Sequence, residues 1–416
     1  MSQTGTVSVP ARPVRVSRPA LLRLIATLGP AFVAAIAYVD PGNFATNFTA
    51  GSTSGFALLW VVLVANVVAM PIQYLAAKLG IVTGKSLPAL CREAFPRGVS
   101  LLMWAQAEVV AMATDLAEFV GAALGLRLLL GVHLWQAALL TGVVAIGILA
   151  LQRRGPRPFE VMIGLLLAVI SLCLLYVTVR TPAPDADALT GLLPSRLDHE
   201  SLLIAVGIVG ATVMPHAIYL HSGLMATRSA GRTSEQRSGL LRSERLDIIL
   251  AMSLAGLINV CMLAVAAGLF DGRGPISLDA VHVGIGHVIG AAAAFAFAIA
   301  LLASGISSAS VGTVAGQIVM DGLTAVRVPV TLRRLITMLP AVVLLCAGAD
   351  PTYVLVLSQV VLSFGIPFAL IALLVLTSRR SIMGDRVNSR TVITAMTVVV
   401  VLVSALNLVL LANTVR

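Results

Sequence analysis

Two short stretches place residues that could bind a cation inside otherwise apolar sequence. The first, AYVDPGNFATN (residues 37–47), supplies a carboxylate at Asp40 and an amide at Asn43. The second, GIVGATVMPHAIYLHS (residues 207–222), supplies a thioether at Met214. Oxygen ligands alone suit Mg²⁺, Ca²⁺ or Mn²⁺, whereas a thioether helps only a softer ion. The set therefore favours Mn²⁺, Fe²⁺, Co²⁺ and Cd²⁺ over Mg²⁺ and Ca²⁺, with Zn²⁺ a further candidate.

Both stretches also contain residues that interrupt a helix. Pro41 follows Asp40 directly, and Pro215 follows Met214. Non-helical backbone at membrane depth is tolerated only where it lines a cavity. Carbonyl groups freed near Ala37 and Ala211 would then add oxygen ligands. Paired interruptions in two halves of a chain are typical of a transporter binding site.

These residues also have ordinary interpretations. Methionine in a membrane helix usually packs against its neighbours, and Asn43 could cap the second half-helix. Asp40 is harder to explain structurally, because acids at membrane depth are functional by default. Met214 is a stronger candidate for a metal ligand than most methionines because it lies at the second interruption.

A third segment, WAQAEVVAMATDLAEFVGAALGL, carries Glu108, Asp115 and Glu118 in one span. Three acids cannot face lipid, so they must face the protein interior or water, which suits a proton relay. His216 and His221 are five residues apart and do not share a helix face, so they do not resemble a two-histidine metal site.

The composition indicates an all-α polytopic membrane protein. Of its 416 residues, 58% are hydrophobic and 11% are charged, against about 25% charged in soluble domains. The net charge of +10 resides in short connectors, so nucleic-acid binding is not expected. The four cysteines are scattered singly, and no HExxH or other catalytic motif is present, so neither an enzyme nor a bound cofactor is predicted.

A membrane span needs about 20 apolar residues. On that criterion we predict eleven spans, which lie near 28–50, 56–80, 101–129, 133–152, 159–180, 202–226, 246–270, 284–312, 335–349, 353–377 and 392–413. They divide into an N-terminal tail (1–27), a first five-helix repeat (28–180), a second inverted repeat (202–377) and an eleventh helix (392–413).

The basic residues predict the orientation. With a cytoplasmic N-terminus, 23 of the 28 Lys and Arg residues fall in cytoplasmic segments, as the positive-inside rule requires. We therefore predict a multi-pass protein of the cytoplasmic membrane whose C-terminus lies outside. The sequence does not indicate an oligomeric state.

The pairing of DPGN with MPH resembles the Nramp family of proton-coupled Mn²⁺ and Fe²⁺ transporters. The segments IAYVDPGNFATN, AEVVAMATDLAEFVGAA, VGIVGATVMPHAIYLHS and LRRLITMLPA are all similar to family sequence. The resemblance covers nearly the whole chain. It implies a LeuT-like fold with broken helices 1 and 6, transporting its ions by alternating access.

The resemblance also assigns residues. The metal would be bound by Asp40, Asn43, Met214, the carbonyls of Ala37 and Ala211 and, in occluded states, Gln359. Gln359 could instead form only a hydrogen bond between helices.

Proton movement would use Asp115, Glu118 and His216, with Arg334 as their cationic partner and Glu108 as a further member. His216 could instead form only a structural hydrogen bond, and Arg333 could be only a topology charge.

Other transporters on the same architecture are the main alternatives. A Na⁺- or H⁺-coupled symporter of a small organic solute needs no methionine at the break. A Mg²⁺ carrier gains nothing from a thioether. Met214 beside Asp40 argues against both.

Overall fold

The computed structural model describes residues 29–152, 156–182, 186–324 and 329–415. Helices joined by short connectors make up these residues, and no strand occurs among them. The all-α prediction is confirmed for this part of the chain. The predicted N-terminal tail (1–27) lies outside it.

The helices of the first half are α1 (Pro30–Ala35), α2 (Pro41–Ser54), α3 (Leu59–Thr83), α4 (Leu87–Ala94), α5 (Arg97–Leu130), α6 (Leu134–Gln152) and α7 (Pro156–Arg180). The helices of the second half are α8 (His199–Thr212), α9 (Pro215–Ser229), α10 (Ser234–Phe270), α11 (Leu278–Val288), α12 (Ala291–Leu323), α13 (Val330–Cys346), α14 (Pro351–Thr377), α15 (Arg380–Met383) and α16 (Arg390–Val415). Single 3-10 turns cover Ile36–Val39, Ala186–Leu192 and Gly384–Arg386.

Length and hydropathy identify the helices that can cross a membrane. Within the described residues, eight helices are long and apolar enough. Three shorter apolar helices run over Pro30–Val39, Leu134–Val144 and Ile336–Leu345. The chain is therefore a multi-span helical protein, while the number eleven stays a prediction.

Two helices are interrupted at the positions that the sequence predicts. The 3-10 turn after α1 ends at Val39, and the backbone of Asp40 is extended (φ −77°, ψ 169°) before α2 begins at Pro41. Likewise α8 ends at Thr212, and Met214 is extended (φ −74°, ψ 122°) before α9 begins at Pro215. Proline ends each first half-helix because it has no N–H and clashes with the preceding turn.

One predicted span is divided in the structure, and one helix is longer than the span predicted within it. The span 284–312 is not one helix, because Gly290 (φ 121°) separates α11 from α12 in a conformation that favours glycine. The span predicted at 246–270 begins earlier, at Ser234, behind a capping box formed by Thr233 and Gln236. The first turns of this helix are polar, so a search for apolar runs does not include them.

The interruption at Asp40 lies in the centre of the helix bundle. Residues 36–47 are all buried. Gly121 of α5 allows Pro41 to lie directly against that helix, since a Cβ at Gly121 would overlap the proline ring. Side chains of Asn43, Met214 and Gln359 are each 0% exposed around it.

Candidate functional site

Asp40 is the N-cap residue of α2. Its Oδ1 accepts hydrogen bonds of 2.7 Å from both the backbone N and the side-chain Nδ2 of Asn43. The cap is therefore Asp40 and not Asn43, so the capping interpretation of Asn43 was wrong. The carboxylate also lies at the positive end of the α2 dipole, which stabilises its charge.

Asn43 connects the two helix interruptions. Its Nδ2 also donates to the carbonyl oxygen of Ala211 over 3.0 Å, across 168 residues of sequence. Because the amide nitrogen faces both acceptors, Oδ1 points away from them. That oxygen is buried and accepts no hydrogen bond from the described residues.

Gln359 approaches Asp40 from α14. Its Nε2 lies 3.5 Å from Asp40 Oδ2, at the limit of a hydrogen bond, and 3.2 Å from Ser358 Oγ. Its Oε1 is buried with no donor among the described residues. Two side chains that contact the buried carboxylate thus each carry a buried amide oxygen with no hydrogen-bond donor among the described residues, a deficit that calls for explanation.

The two prolines explain why backbone oxygens are available here. In an α-helix each carbonyl accepts from the N–H four residues ahead. For Ala37 and Ala211 that residue is Pro41 or Pro215, which has no N–H. The same A-x-x-x-P spacing at both interruptions is a signal that the sequence already carries.

Met214 completes the set as the N-cap of α9. It lies three residues after Ala211, and its side chain is fully buried. Among the described residues no group of three or more His, Cys, Asp or Glu side chains could hold a metal ion. The arrangement therefore offers one carboxylate, neutral oxygens and a thioether, a set suited to a softer divalent ion that is held transiently.

The three acids of α5 occupy distinct surroundings. Asp115 lines a small cavity between α5, α9 and α12 together with Thr114 and His216. Thr114 Oγ1 lies 3.3 Å from His216 Nδ1. Glu118 is buried against Gly312 of α12. The structure thus brings Asp115 beside His216, two residues from Met214.

Glu108 has a basic partner on α13. Arg333 Nη2 lies 3.5 Å from Glu108 Oε2, with side-chain exposures of 8% and 18%. The guanidinium also lies over Gly316, which lines the Asp115 cavity. Arg333 is therefore a buried ion-pair partner rather than only a topology charge. The side chain of Arg334 lies outside the described part of the structure.

A second buried polar chain was not predicted. Gln73 Nε2 donates to the Tyr38 hydroxyl, and Gln73 Oε1 lies 2.8 Å from His221 Nδ1. The other ring nitrogen, His221 Nε2, lies 2.9 Å from Glu244 Oε1. Glu244 was missed because the hydropathy boundary assigned it to a connector. The chain runs from the turn before Asp40 to the polar end of α10.

Side chains of neighbouring helices satisfy the backbone at the first interruption. Asn259 Nδ2 donates to Tyr38 O over 3.0 Å, and Ser304 Oγ donates to Val39 O over 2.6 Å. Asn47 Nδ2 donates in turn to Asn259 Oδ1. These bonds offset the cost of unwinding a buried helix.

Comparisons with known proteins identify the family to which this chain is similar. The family described as "Natural resistance-associated macrophage protein-like" (Nramp) matches residues 31–413. The chain is 49% identical over 389 residues to the divalent metal cation transporter MntH of Deinococcus radiodurans, covering 92% of this chain and 89% of that protein. It is 47% identical to MntH of Bacillus subtilis, with coverage of 94% and 93%.

Solved structures of transporters are also similar to this chain. The manganese transporter of Eremococcus coleocola, in complex with an aromatic bis-isothiourea compound, superimposes with a TM-score of 0.83 at 30% identity. That match covers 97% of this chain and 88% of the other. MHP1, a nucleobase-cation-symport-1 transporter, matches with a TM-score of 0.60 at 15% identity over 83% and 77% of the chains. The latter shows a shared fold alone.

Proposed function

The chain belongs to the Nramp family, and we propose that it imports divalent transition-metal ions, Mn²⁺ and Fe²⁺ foremost, together with protons. It is a membrane transporter rather than an enzyme, and the metal is its cargo. One observation carries the proposal. The bond from Asn43 to Ala211 joins the two helix interruptions beside the buried carboxylate of Asp40.

The proposed metal ligands are Asp40, Asn43 and Met214, the carbonyls of Ala37 and Ala211, and Gln359. Asp40 Oδ1 is held by Asn43, so the carboxylate is preorganised for a cation. The amide groups of Asn43 and Gln359 would turn when a cation binds, because their nitrogens now face Asp40 and their oxygens would replace water in the ion's shell. Met214 adds the contact that Mg²⁺ and Ca²⁺ cannot use.

The proposed proton route leaves the site through α5. A divalent charge beside Asp40 favours release of a proton held there or on its neighbours, because like charges repel strongly in a low-dielectric interior. His216 and Asp115 line one small cavity with Gly316, and Gly316 lies against the guanidinium of Arg333, the partner of Glu108. Glu118 and Arg334 are further proposed members of this route.

Alternating access follows from the proposed architecture of eleven spans. Repeats 28–180 and 202–377 would each begin with an interrupted helix, and both half-helix junctions meet at one point. A change in the angle of either half-helix could then open the site to one side. The membrane potential, negative inside, would drive both cations inward.

The test is uptake of Mn²⁺ into proteoliposomes that contain separate metal and pH indicators. With acid outside, the proposal expects Mn²⁺ uptake accompanied by acidification of the lumen. Asp115→Asn should weaken the response to the proton gradient, whereas Glu93→Gln should not, because Glu93 is an exposed acid paired with Lys85. Uptake that needs Na⁺, or that proceeds with no proton movement in the wild type, would refute the coupling.

A further inference from the structure

A pocket near the start of α5 is lined by residues other than those of the site described above. Its walls are formed by Arg92 of α4, Arg97 and Trp104 of α5, and Met320 and Leu323 of α12. Arg92 and Arg97 are exposed and lie at its mouth, and Leu101, Trp104, Met320 and Leu323 supply apolar walls. The pocket therefore combines positive charge at its mouth with apolar walls.

The two guanidinium groups are available to a ligand. Both arginines are exposed, and neither forms an ion pair with a carboxylate of the described residues. Arg92 Nη1 donates only to a backbone carbonyl, that of Asp321, over 3.3 Å. The nearby Glu93 is paired with Lys85. Two positive charges thus remain at the mouth.

The α5 N-terminus adds to this positive potential. The helix begins at Arg97, directly after Pro96, and no side chain caps it. Helix N-termini attract phosphate groups through their free N–H groups and the helix dipole. Ser100, buried in the first turn, also lines the pocket.

Apolar side chains follow the basic ones along α5. Trp104 is seven residues after Arg97, which places it about 10 Å further along the helix axis. Leu101, between them, is 58% exposed in a chain that crosses a membrane. Tryptophan is typical of the level between headgroups and acyl chains.

From this geometry we propose that the pocket binds one anionic phospholipid. Its phosphate would lie between Arg92 and Arg97, and one acyl chain would lie along Leu101 and Trp104. Charge complementarity selects the ligand, since a zwitterionic lipid offers the two arginines no net charge. By the predicted orientation, the lipid belongs to the cytoplasmic leaflet.

Tryptophan fluorescence tests this directly. The chain has three tryptophans, so Trp60→Phe with Trp135→Phe leaves Trp104 as the sole tryptophan, which is excited selectively over tyrosine. Purified protein is reconstituted in nanodiscs that contain increasing fractions of dibrominated phosphatidylglycerol or dibrominated phosphatidylcholine. Bromine quenches the indole on contact. Phosphatidylglycerol should reach half-maximal quenching at a lower lipid fraction than phosphatidylcholine. Each of the two arginines should contribute about a fivefold difference between these fractions.

Matched variants show whether the lipid preference comes from this pocket or from the positive surface charge in general. Arg92→Gln with Arg97→Gln should remove the preference, and each single change should remove part of it. Arg232→Gln with Arg242→Gln removes one exposed arginine just before α10 and one within α10 and should leave the preference intact. Equal quenching by both lipids in the parent protein would overturn the proposal, as would a preference that survives the loss of Arg92 and Arg97.

A final arm distinguishes the lipid from soluble phosphate. Excess inorganic phosphate, compared with sodium chloride of equal ionic strength, should leave the preference unchanged. If phosphate alone abolishes it, the ligand is a soluble phosphate and the lipid assignment is wrong. The readout needs no transport, so its outcome is independent of the proposed import function.

Discussion

At the scale of single residues, the two oxygens of Asp40 have different surroundings. Oδ1 accepts two hydrogen bonds from Asn43 and so fixes the start of α2. Oδ2 faces Gln359 at 3.5 Å. Because the capping requirement is met by one oxygen, the other remains for a cation. The same residue can therefore hold the half-helix in place and bind the ion.

A residue-scale prediction concerns Glu108 and Arg333. Removing one partner of a buried ion pair leaves the other charge uncompensated, which costs about 3 kcal/mol. Glu108→Gln should therefore lower the free energy of unfolding by about that amount, measured by denaturation in detergent. Arg333→Met should have a similar effect.

The double variant provides the control. Glu108→Gln combined with Arg333→Met removes both charges and should recover most of the lost stability. If the double variant is as unstable as the sum of the single variants, the two residues do not interact and the contact carries no energy.

Residue types at the site could be predicted from sequence, but their orientations could not. The acid, amide and thioether were identified from their positions beside Pro41 and Pro215. That Asn43 donates to Ala211 depends on the packing of helices 168 residues apart. The buried position of Arg333 likewise depends on how α13 lies against α5, which no local pattern encodes.

At the scale of helices, the site depends on the close approach of α8 to α14. Gly210, one residue before Ala211, makes this possible. A Cβ at Gly210 would overlap the carbonyl oxygen of Gln359 and lie 3.0 Å from the Ser363 Cβ. Both contacts are close to atoms that cannot rotate away, so the two helices would have to separate.

Gly210→Ala should therefore impair transport and lower stability by about 1 to 3 kcal/mol, the usual cost of overpacking. Mn²⁺ uptake and thermal unfolding are the measurements. Gly142→Ala is the matched control, because a Cβ there meets no atom within 4 Å. Equal effects of the two changes would show that the α8–α14 contact is not required.

Helix positions followed from hydropathy more reliably than helix ends did. Apolar runs located the membrane helices, and proline located both interruptions. The start of α10 was missed because its first turns are polar and held by a capping box. The division between α11 and α12 was missed because Gly290 lies within apolar sequence, where hydropathy cannot distinguish a turn from a helix.

At the scale of the whole molecule, the basic residues predict where the termini lie. An odd number of spans places them on opposite sides of the membrane. Alkaline phosphatase fused to the C-terminus should therefore be active, and green fluorescent protein fused there should not fluoresce. A tag at the N-terminus should react only with a reagent added from the cytoplasmic side. Fusions that report both termini on one side would show that a span has been miscounted.

In the proposed mechanism, the two helix interruptions form one metal site of mixed oxygen and sulfur ligands. The most direct measurement is Mn²⁺ uptake into proteoliposomes at acid outside pH, with Ca²⁺ or Mg²⁺ as competitor, for the wild type, Asp40→Ala and Met214→Ala. Met225→Ala, a buried methionine of the same half-helix, is the control.

We expect Asp40→Ala to abolish uptake. Met214→Ala should weaken Mn²⁺ affinity by about tenfold, comparable to the loss of a residue that orients a metal ligand, and allow Ca²⁺ to compete. Met225→Ala should retain the wild-type selectivity. If Asp40→Ala and Met214→Ala both carry Mn²⁺ with unchanged selectivity, the metal binds elsewhere and the account of the two interruptions is wrong.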